Sequence, residues 1–416
     1  MEEKFVDTPV VSPPNHHHII PLHPRPQAQP AEHVRTYASV DAAVEALRPE
    51  QPVHGLRTHS VEQMTAWFLA HFPGDVMFAV KTNPEPLVLD AAYAAGMRHF
   101  DVASLAEAEL IHARYADATM HFMHPVKSRE AIAKAYYYYG IRHFSLDSLQ
   151  ELKKILDVTE HADDLALSVR LAIPNDKAAI KLTGKFGVDA GEAEALIQAT
   201  RKAAKRFGLC FHVGSQCMDP EAFTIGMTYV RTLLDECRVK LDILDVGGGF
   251  PAIYPDKVPP KMITYIDAIR AGLAELPLDE DCQILCEPGR ALVAESGSLI
   301  VRVELKKGNA LYINDGVYGS LFDAGEPAFN YPVRAIRPGR ALSSQPMPFI
   351  FYGPTCDSMD AMHGPFLLPA DIQEGDWIEI GQMGAYGATM RTKFNGFYSD
   401  ELVCVEDEAL VKMEME

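Results

Sequence analysis

The strongest constraint on the fold is a rhythm that begins near residue 57, where short β-rich runs alternate with helix-like stretches. This alternation is typical of parallel strands joined by crossover helices. Eight runs within about 240 residues favour a closed (β/α)8 barrel over an open doubly wound sheet. The predicted strands are VMFAV (76–80), HFDVAS (99–104), ATMHFM (118–123), HFSLD (143–147), LALSVRLAI (165–173), LCFHVGS (209–215), ILDVGGG (243–249) and QILCEPG (283–289).

Two of the connecting helices carry a start signal. Ser104 with Glu107, and Ser148 with Glu151, fit the capping box, in which a serine and a glutamate three residues later satisfy free amides. The sequence therefore predicts that helices begin at these two serines.

The composition and the hydrophobic pattern of the sequence change at both ends of the barrel region. A tail rich in proline and histidine is expected to be disordered, and β-rich pieces such as SLIVRVEL and DWIEIG predict an antiparallel β domain. No metal site is predicted. The expected divisions are a tail at 1–30, a segment at 31–56 that joins the β domain, the barrel at 57–298 and the C-terminal β domain at 299–416.

The net charge and the number of cysteines limit which functions and which cellular compartment are expected. With 57 acidic and 38 basic residues, the net charge of −19 argues against a nucleic-acid partner. Seven cysteines, an odd number, and no signal-peptide pattern lead us to expect a reducing, cytoplasmic compartment. The apolar runs are too short to cross a bilayer, so we expect no membrane span.

Polar residues follow the predicted strands where a barrel does its chemistry. The C-terminal ends of barrel strands share one mouth, so a polar residue or glycine at the end of an apolar run is a candidate site residue. One such residue is compatible with an ordinary loop, but seven together favour a site. They are Lys81, Asp101, Asp147, Arg170, His212, Gly247 and Glu287.

Lys81 is the candidate nucleophile among them. It follows an apolar strand, and partial desolvation at the barrel mouth is expected to lower its pKa toward neutrality and allow imine formation. A surface lysine with a buried stem is the alternative.

Two glycine-containing segments are candidates for holding a phosphate. The run at 247–249 and the segment after His212 offer backbone amides, although a glycine run is also compatible with a tight turn. EPGR at 287–290 adds a carboxylate and a guanidinium, which suit either a phosphate site or a simple ion pair.

Taken in order, nine segments resemble the fold type III pyridoxal-phosphate-dependent decarboxylases of the ornithine/lysine decarboxylase kind. The resemblance spans Phe78 to Phe397 and implies an alanine-racemase-like barrel with a C-terminal β domain. The segments are FAVKTN, HFDVASLAEAE, KFG, FHVGSQ, LDVGGGFP, EPGR, YINDGVYGS, GPTCDSMD and GDWIEIGQMGAYGATMRTKFNGF.

The resemblance implies a set of residues that bind pyridoxal 5'-phosphate. Lys81 would hold the cofactor as a Schiff base, His212 would stack on its ring, and Glu287 would pair with the pyridinium nitrogen. Asp101, Arg170 and Glu107 would order the cofactor face. The phosphate would be held by Ser215, Gly247, Gly248, Gly249, Arg290 and Tyr386.

The C-terminal motifs imply a site shared between two subunits. In the resemblance, GPTCDSMD reaches into the neighbouring subunit, with Cys356 as a catalytic proton donor and Asp357 as a ligand of the substrate ammonium. Phe394 would line the same pocket. A second carboxylate would be Glu326, with Asp323 as the competing candidate. The expected active unit is therefore a homodimer.

The implied reaction is decarboxylation of a basic L-amino acid. L-Ornithine giving putrescine is favoured, with L-lysine giving cadaverine or a shorter diamino acid as alternatives. Diaminopimelate decarboxylase resembles the chain at HVGSQ but normally carries Cys-Glu where this chain has Cys356-Asp357. Alanine racemase lacks GPTCDSMD. A non-catalytic regulator of the antizyme-inhibitor kind would have lost cofactor or catalytic residues, which this chain retains.

Overall fold

The computed structural model describes residues 34–173, 178–180, 184–325 and 327–416. The predicted disordered tail at 1–30 and the candidate ligand Glu326 lie outside the described residues. Within those ranges, no helix combines the length and the apolar character that crossing a bilayer requires.

Helices and strands alternate along the chain and are numbered in chain order. The strands are β1 (Thr36–Tyr37), β2 (Val53–Leu56), β3 (Asp75–Ala79), β4 (His99–Val102), β5 (Thr119–Phe122), β6 (His143–Leu146), β7 (Ala166–Arg170), β8 (Ala178–Ile180), β9 (Arg206–Cys210), β10 (Ser215–Cys217), β11 (Ile243–Asp245), β12 (Gln283–Cys286), β13 (Gly297–Lys307), β14 (Ala310–Ile313), β15 (Val333–Ile336), β16 (Pro346–Tyr352), β17 (Ala361–Pro369), β18 (Trp377–Ile380) and β19 (Leu402–Val405). The α-helices are α1 (Val40–Leu47), α2 (Thr58–His71), α3 (Pro86–Ala94), α4 (Leu105–Arg114), α5 (Arg129–Ala133), α6 (Leu149–Val158), α7 (Ala190–Ala203), α8 (Glu221–Cys237), α9 (Met262–Ala274) and α10 (Arg290–Val293).

A closed parallel barrel forms the first domain. In the described part of the chain its strands follow one another in the order β11, β12, β3, β4, β5, β6, β7 and β9. Each strand overlaps one of the eight predicted runs, so the predicted (β/α)8 barrel is confirmed. The run predicted at 209–215 is displaced, because β9 ends at Cys210 and shares only Leu209 and Cys210 with it. Closure occurs where β12 pairs with β3, with Leu285 opposite Asp75 and Cys286 opposite Val76.

Side chains of the barrel strands alternate between two faces, as the twofold period of a strand requires. One face packs into the large apolar core through four phenylalanines that are at most 1% exposed: Phe78, Phe100, Phe122 and Phe144. The other face points into the barrel and includes a separate apolar cluster with Met77, Ile243 and Leu285. The barrel is therefore a packed core with a floor and a mouth.

The predicted helix starts are confirmed. The Ser104 hydroxyl accepts the backbone N–H of Glu107 at 3.2 Å, and the Ser148 hydroxyl accepts that of Glu151 at 3.3 Å. Helices α4 and α6 begin at the next residue in each case. The Glu107 carboxylate accepts the N–H of Ala103 instead of that of the capping serine.

The second domain is a sheet of nine strands among the described residues, with a main path of β1, β19, β2, β13, β14, β16 and β17. Strands β15 and β18 extend it beside β13. Antiparallel pairs dominate, which confirms the predicted class. Three pairs run parallel, namely β1 with β19, β19 with β2, and β14 with β16. Strands β1 and β2 precede the barrel, so both ends of the chain build this sheet.

Arg57 fastens the barrel to the sheet from a position 1% exposed between β2 and α2. Its guanidinium donates to Ser298 Oγ at 2.8 Å, to Glu379 Oε1 at 3.0 Å and to Asp407 Oδ1 at 2.9 Å. A further bond runs from Nε to the Asp407 carbonyl at 2.8 Å. The carboxylates of Glu379 and Asp407 balance the charge of Arg57, and its N–H groups have hydrogen-bond acceptors. These contacts largely offset the desolvation cost of burying the arginine.

A row of histidines crosses the barrel interior below the mouth. His99 Nδ1 lies 3.0 Å from His121 Nε2, His121 Nδ1 lies 2.8 Å from His143 Nδ1, and His143 Nε2 lies 2.7 Å from Ser168 Oγ. Burial lowers the pKa of His121 well below its usual range and that of His143 to about 3, and Arg206 adds to both shifts. The buried rings are therefore neutral.

These histidines predict that acid destabilises the protein. Below a pH of about 6.5, His121 and His143 become protonated in the unfolded chain but stay neutral in the folded protein. The free energy of unfolding should therefore fall as the pH decreases toward the pKa of the folded state. Each histidine contributes a slope of about 1.4 kcal/mol per pH unit. His143→Gln should reduce the slope by that amount in urea unfolding between about pH 4 and 6. His363→Gln, at an exposed site, is the control. Equal slopes for both variants would contradict the assignment.

Candidate active site

Lys81 lies in a single 3-10 turn, Val80–Thr82, that directly follows β3. Its Nζ donates to Asp101 Oδ2 at 3.0 Å, and the Lys81 side chain is 45% exposed whereas that of Asp101 is 2% exposed. Because β3 and β4 are neighbours in the barrel, the amine and the carboxylate meet at the mouth as the strand-end argument predicts.

The expected direction of the Lys81 pKa is wrong for the cofactor-free chain. Burial does act to lower the pKa, but the carboxylates of Asp101 and Glu287 outweigh it and raise the pKa above the usual range for lysine. Sequence reasoning considered the apolar strand before Lys81 and missed the acidic neighbours that barrel closure brings to it. The amine is held as an ammonium in an ion pair.

Three carboxyl groups and two cations crowd the mouth. Asp101, Asp245 and Glu287 are at most 4% exposed. Burial raises the pKa of Asp245 to about 6, and burial followed by the charges of Asp245 and Asp101 raises that of Glu287 well above its usual range. Lys81 and Arg170 partly offset the second shift. Sequence reasoning missed Asp245, although it ends β11 and satisfied the same strand-end criterion.

Glu287 has a buried oxygen, Oε1, with no hydrogen-bond partner among the described residues. An unsatisfied buried carboxylate oxygen is costly unless a donor completes it. A protonated pyridine nitrogen is such a donor. The residues present therefore fit pyridoxal 5'-phosphate, because Glu287 would have an oxygen free to accept a hydrogen bond from the ring nitrogen. Lys81 lies close enough to Glu287 to lower the pKa of that carboxyl.

His212 provides a neutral aromatic surface in the same region. Burial lowers its pKa well below the usual range, and the charges of Arg170 and Lys81 add to this shift. The imidazole Nδ1 accepts the Gly214 N–H at 2.9 Å, so the proton resides on Nε2. A neutral ring fixed in this way suits stacking against another ring.

The glycines at 247–249 are required by the close approach of three strand ends. An added Cβ would lie 1.9 Å from Phe211 O at Gly247, 2.5 Å from Glu287 O at Gly248 and 2.5 Å from Gly214 O at Gly249. Gly247 and Gly249 also have positive φ values of 72° and 109°. The tight-turn interpretation is thus correct, and it is compatible with a phosphate role for the amides.

Arg290 is 4% exposed and donates to Tyr254 Oη at 2.8 Å and to Asp323 Oδ2 at 3.0 Å. The alternative of a Glu287–Arg290 ion pair is wrong, because the partner is Asp323. The buried Nε of Arg290 has no hydrogen-bond partner among the described residues, so its N–H can donate to a bound anion. Tyr254 carried no signal in the sequence, since nothing local marks it as a neighbour of Arg290.

Residues from the second domain contact the lysine turn. The Tyr386 N–H donates to Thr82 O at 3.0 Å, and Asn83 Nδ2 donates to Gly384 O at 2.8 Å. The Tyr386 ring centre lies 5.1 Å from the Arg290 guanidinium carbon. Tyr386 is therefore at the mouth, as predicted, and Ser215 begins β10, just after the His212 segment.

Two sequence candidates have local hydrogen-bonding roles. Glu107 holds the Ala103 N–H, and burial raises its pKa. Asp147 Oδ2 accepts the Gly187 N–H at 3.0 Å and so anchors the KFG loop.

Cys356, Asp357 and Phe394 form a separate group on the second domain. Tyr318 Oη donates to Asp357 Oδ2 at 2.6 Å, and the rings of Tyr318 and Phe394 have centroids 4.9 Å apart. Cys356 is exposed, and its N–H donates to Asn395 Oδ1 at 3.0 Å. The Met359 N–H and the Tyr318 hydroxyl hold the pKa of Asp357 below its usual range. Its carboxylate is therefore ionised at neutral pH.

The fold and the barrel mouth define a class: a two-domain barrel protein with a lysine, buried acids and a glycine turn in one mouth. Residues 57–294 match the model of the pyridoxal-dependent decarboxylases, specifically their pyridoxal binding domain. The chain belongs to this family, and it is a pyridoxal-phosphate-dependent decarboxylase of a basic amino acid.

Known relatives match over most of the chain. The lysine/ornithine decarboxylase of Selenomonas ruminantium is 32% identical over 358 residues, covering 84% of this chain and 88% of that protein. The antizyme inhibitor 2 of Xenopus laevis is 30% identical over 347 residues, covering 77% of this chain and 73% of that protein. The structure of lysine/ornithine decarboxylase from Vibrio vulnificus complexed with putrescine has a TM-score of 0.75 and 29% identity, covering 88% of this chain and 96% of that chain.

The glycine packing predicts that Gly248→Ala perturbs the mouth. The new methyl group would overlap Glu287 O and lie 3.0 Å from His212 Nε2, so one of the strand ends must move. We expect a loss of about 1–3 kcal/mol in the free energy of unfolding, together with weaker cofactor binding in a fluorescence titration. Gly191→Ala in α7 is the matched control, because an added Cβ there meets nothing within 4 Å. Equal stability of the two variants would refute the packing argument.

Proposed function

We propose that this protein converts L-ornithine to putrescine and carbon dioxide, as a homodimer whose active sites each combine residues of both chains. The observation that carries the proposal is the ionised carboxylate of Asp357, which lies against Tyr318 beside the exposed thiol of Cys356. A carboxylate beside an aromatic ring suits the distal ammonium of a diamino acid, since a desolvated cation needs an ionic partner.

Exposed apolar side chains around this group support the dimer. Met359 is 70% exposed, Phe394 43% and Phe397 44%. Large apolar side chains clustered at a surface mark a contact with another molecule. A twofold dimer would cover them and bring Cys356 and Asp357 of one chain to the barrel mouth of the other.

The barrel residues are proposed to bind and orient the cofactor. When bound, pyridoxal 5'-phosphate supplies an electron sink for the pair left on Cα as carbon dioxide departs. Lys81 would hold it covalently, His212 would cover one ring face, and Glu287 would keep the ring nitrogen protonated. Asp101, Arg170 and Glu107 would order the site. The phosphate would be held by Ser215, the amides of Gly247, Gly248 and Gly249, Arg290 through its unpaired Nε, and Tyr386.

The second-domain residues are proposed to handle the substrate. Cys356 Sγ would deliver a proton to Cα after carbon dioxide leaves, and Asp357 would bind the distal ammonium with Phe394 along its methylene chain. Asp323 is already paired with Arg290, so the second distal carboxylate is assigned to Glu326. A glutamate reaches one methylene further than an aspartate, which shortens the pocket and favours ornithine over lysine.

The substrate assignment is tested with the holoenzyme. We expect a visible absorption band from the bound cofactor, and carbon dioxide release that is faster with L-ornithine than with L-lysine, 2,4-diaminobutyrate or diaminopimelate. Asp357 would repel the distal carboxylate of the last compound. Lys81→Ala should abolish both the band and the turnover.

A clear preference for lysine would overturn the ornithine assignment. A colourless protein that releases no carbon dioxide would instead favour a regulator of the antizyme-inhibitor kind. Lys205→Ala, a charge-removing change on the barrel exterior before β9, is the control and should retain both the band and the turnover.

The shared site is tested by mixing two inactive variants. If Lys81 and Cys356 of one site come from different chains, equal amounts of Lys81→Ala and Cys356→Ala subunits should form hybrid dimers with one intact site each. Random exchange then restores about one quarter of the wild-type activity. The activity is measured before and after subunit exchange. Continued inactivity of a mixture shown to contain hybrids would place both residues in one chain's site.

A further inference from the structure

Two acidic side chains share one tight turn at the ends of adjacent barrel strands. Asp245 is the last residue of β11, and Glu287 directly follows β12. The Gly247 N–H donates to Asp245 Oδ1 at 2.8 Å, and the Glu287 N–H donates to Gly247 O at 2.9 Å. Gly247 thus fixes both acids, which are 0% and 4% exposed.

Each of these acids has one buried side-chain oxygen without a donor. Asp245 Oδ2 and Glu287 Oε1 are buried and have no hydrogen-bond partner among the described groups when both acids are ionised. Their side chains nevertheless lie within hydrogen-bonding range of each other. Two carboxylates cannot hydrogen-bond unless one of them carries a proton. A single proton shared between the two acids would allow this hydrogen bond.

The charges around the pair lead to the same count. Lys81 and Arg170 contribute two positive charges, Asp101 contributes one negative charge, and the His212 ring is neutral. With one shared proton, Asp245 and Glu287 contribute one further negative charge, which balances the summed charge of Lys81, Arg170 and Asp101. A doubly ionised pair would leave an uncompensated charge in a low-dielectric site, which is costly.

We propose that Asp245 is a positioning residue of this decarboxylase, which shares a single proton with Glu287 and donates it as a hydrogen bond while Glu287 faces the pyridine nitrogen. The proton moves along the existing contact: the O–H bond of Glu287 breaks, that of Asp245 forms, and Glu287 is left as the carboxylate. This inference rests on the proposed role of Glu287 toward the cofactor. Asp245 would act through Glu287 and would not touch the cofactor itself.

Asparagine is the informative replacement at this position. Its Oδ1 can accept the Gly247 N–H and its Nδ2 can donate to Glu287, so Asp245→Asn copies the protonated acid in charge and in hydrogen bonds. Asp245→Leu keeps the volume but removes the donor. A hydrogen bond to a charged group is worth about ten- to a hundredfold in an equilibrium constant.

The first experiment titrates pyridoxal 5'-phosphate into cofactor-free wild-type, Asp245→Asn and Asp245→Leu protein. We expect affinities within about threefold for wild type and Asn, and at least about tenfold weaker binding for Leu. Asn binding as weakly as Leu would show that an ionised Asp245 is needed, and equal binding by all three would show a packing role. Either result overturns the inference.

The second experiment needs no cofactor and does not depend on the leucine variant folding. Infrared spectra of the cofactor-free wild type near pH 8 should contain a protonated-carboxyl C=O band that is absent from Asp245→Asn and from Glu287→Gln. Asp376→Asn, at a buried carboxylate paired with Arg337, should keep the band. A wild-type spectrum without it overturns the inference. Failure of the wild type to bind the cofactor at all would instead refute the proposed function.

Discussion

The ion pair between Lys81 and Asp101 is the interaction on which the site depends. It exists because β3 and β4 end side by side, and its strength comes from the buried acids behind it. A lysine that ended the same strand in an open sheet would lie among other neighbours. Closure of the barrel, made by the pairing of β12 with β3, brings Glu287 within the field of Lys81 and so sets the protonation of the amine.

The two domains divide the chemistry between them. The barrel gathers the groups that suit a flat, phosphorylated ring, whereas the sheet presents Asp357 and Cys356 on an exposed surface. The domains are coupled by buried contacts, since Arg57 ties α2 to the sheet and Gly384 contacts the turn after Lys81. Movement of the sheet would therefore shift the lysine turn.

Much of the fold was predictable because its signals are local. Eight apolar runs and the serine caps at Ser104 and Ser148 depend only on neighbouring residues, and strand ends point to one mouth in any parallel barrel. The rest depends on which strands meet and in what register. The pairing of Arg290 with Asp323 and the histidine row through His121 need closure to be known.

The direction in which the Lys81 pKa is shifted was also not predictable from local sequence. A sequence reveals the burial that follows an apolar strand, but it does not reveal the two carboxylates that outweigh this burial. Asp245 is a different case, because it ends a predicted strand and its position at the barrel mouth follows from the same local signal as that of Asp101.

We propose that Lys81 is the residue that holds the cofactor. Borohydride reduction of the holoenzyme makes that bond permanent, and peptide mass spectrometry then locates it. We expect a single modified peptide carrying the cofactor on Lys81 of FAVKTN. Modification of another lysine, or no stable modification of a protein that binds the cofactor, would contradict it.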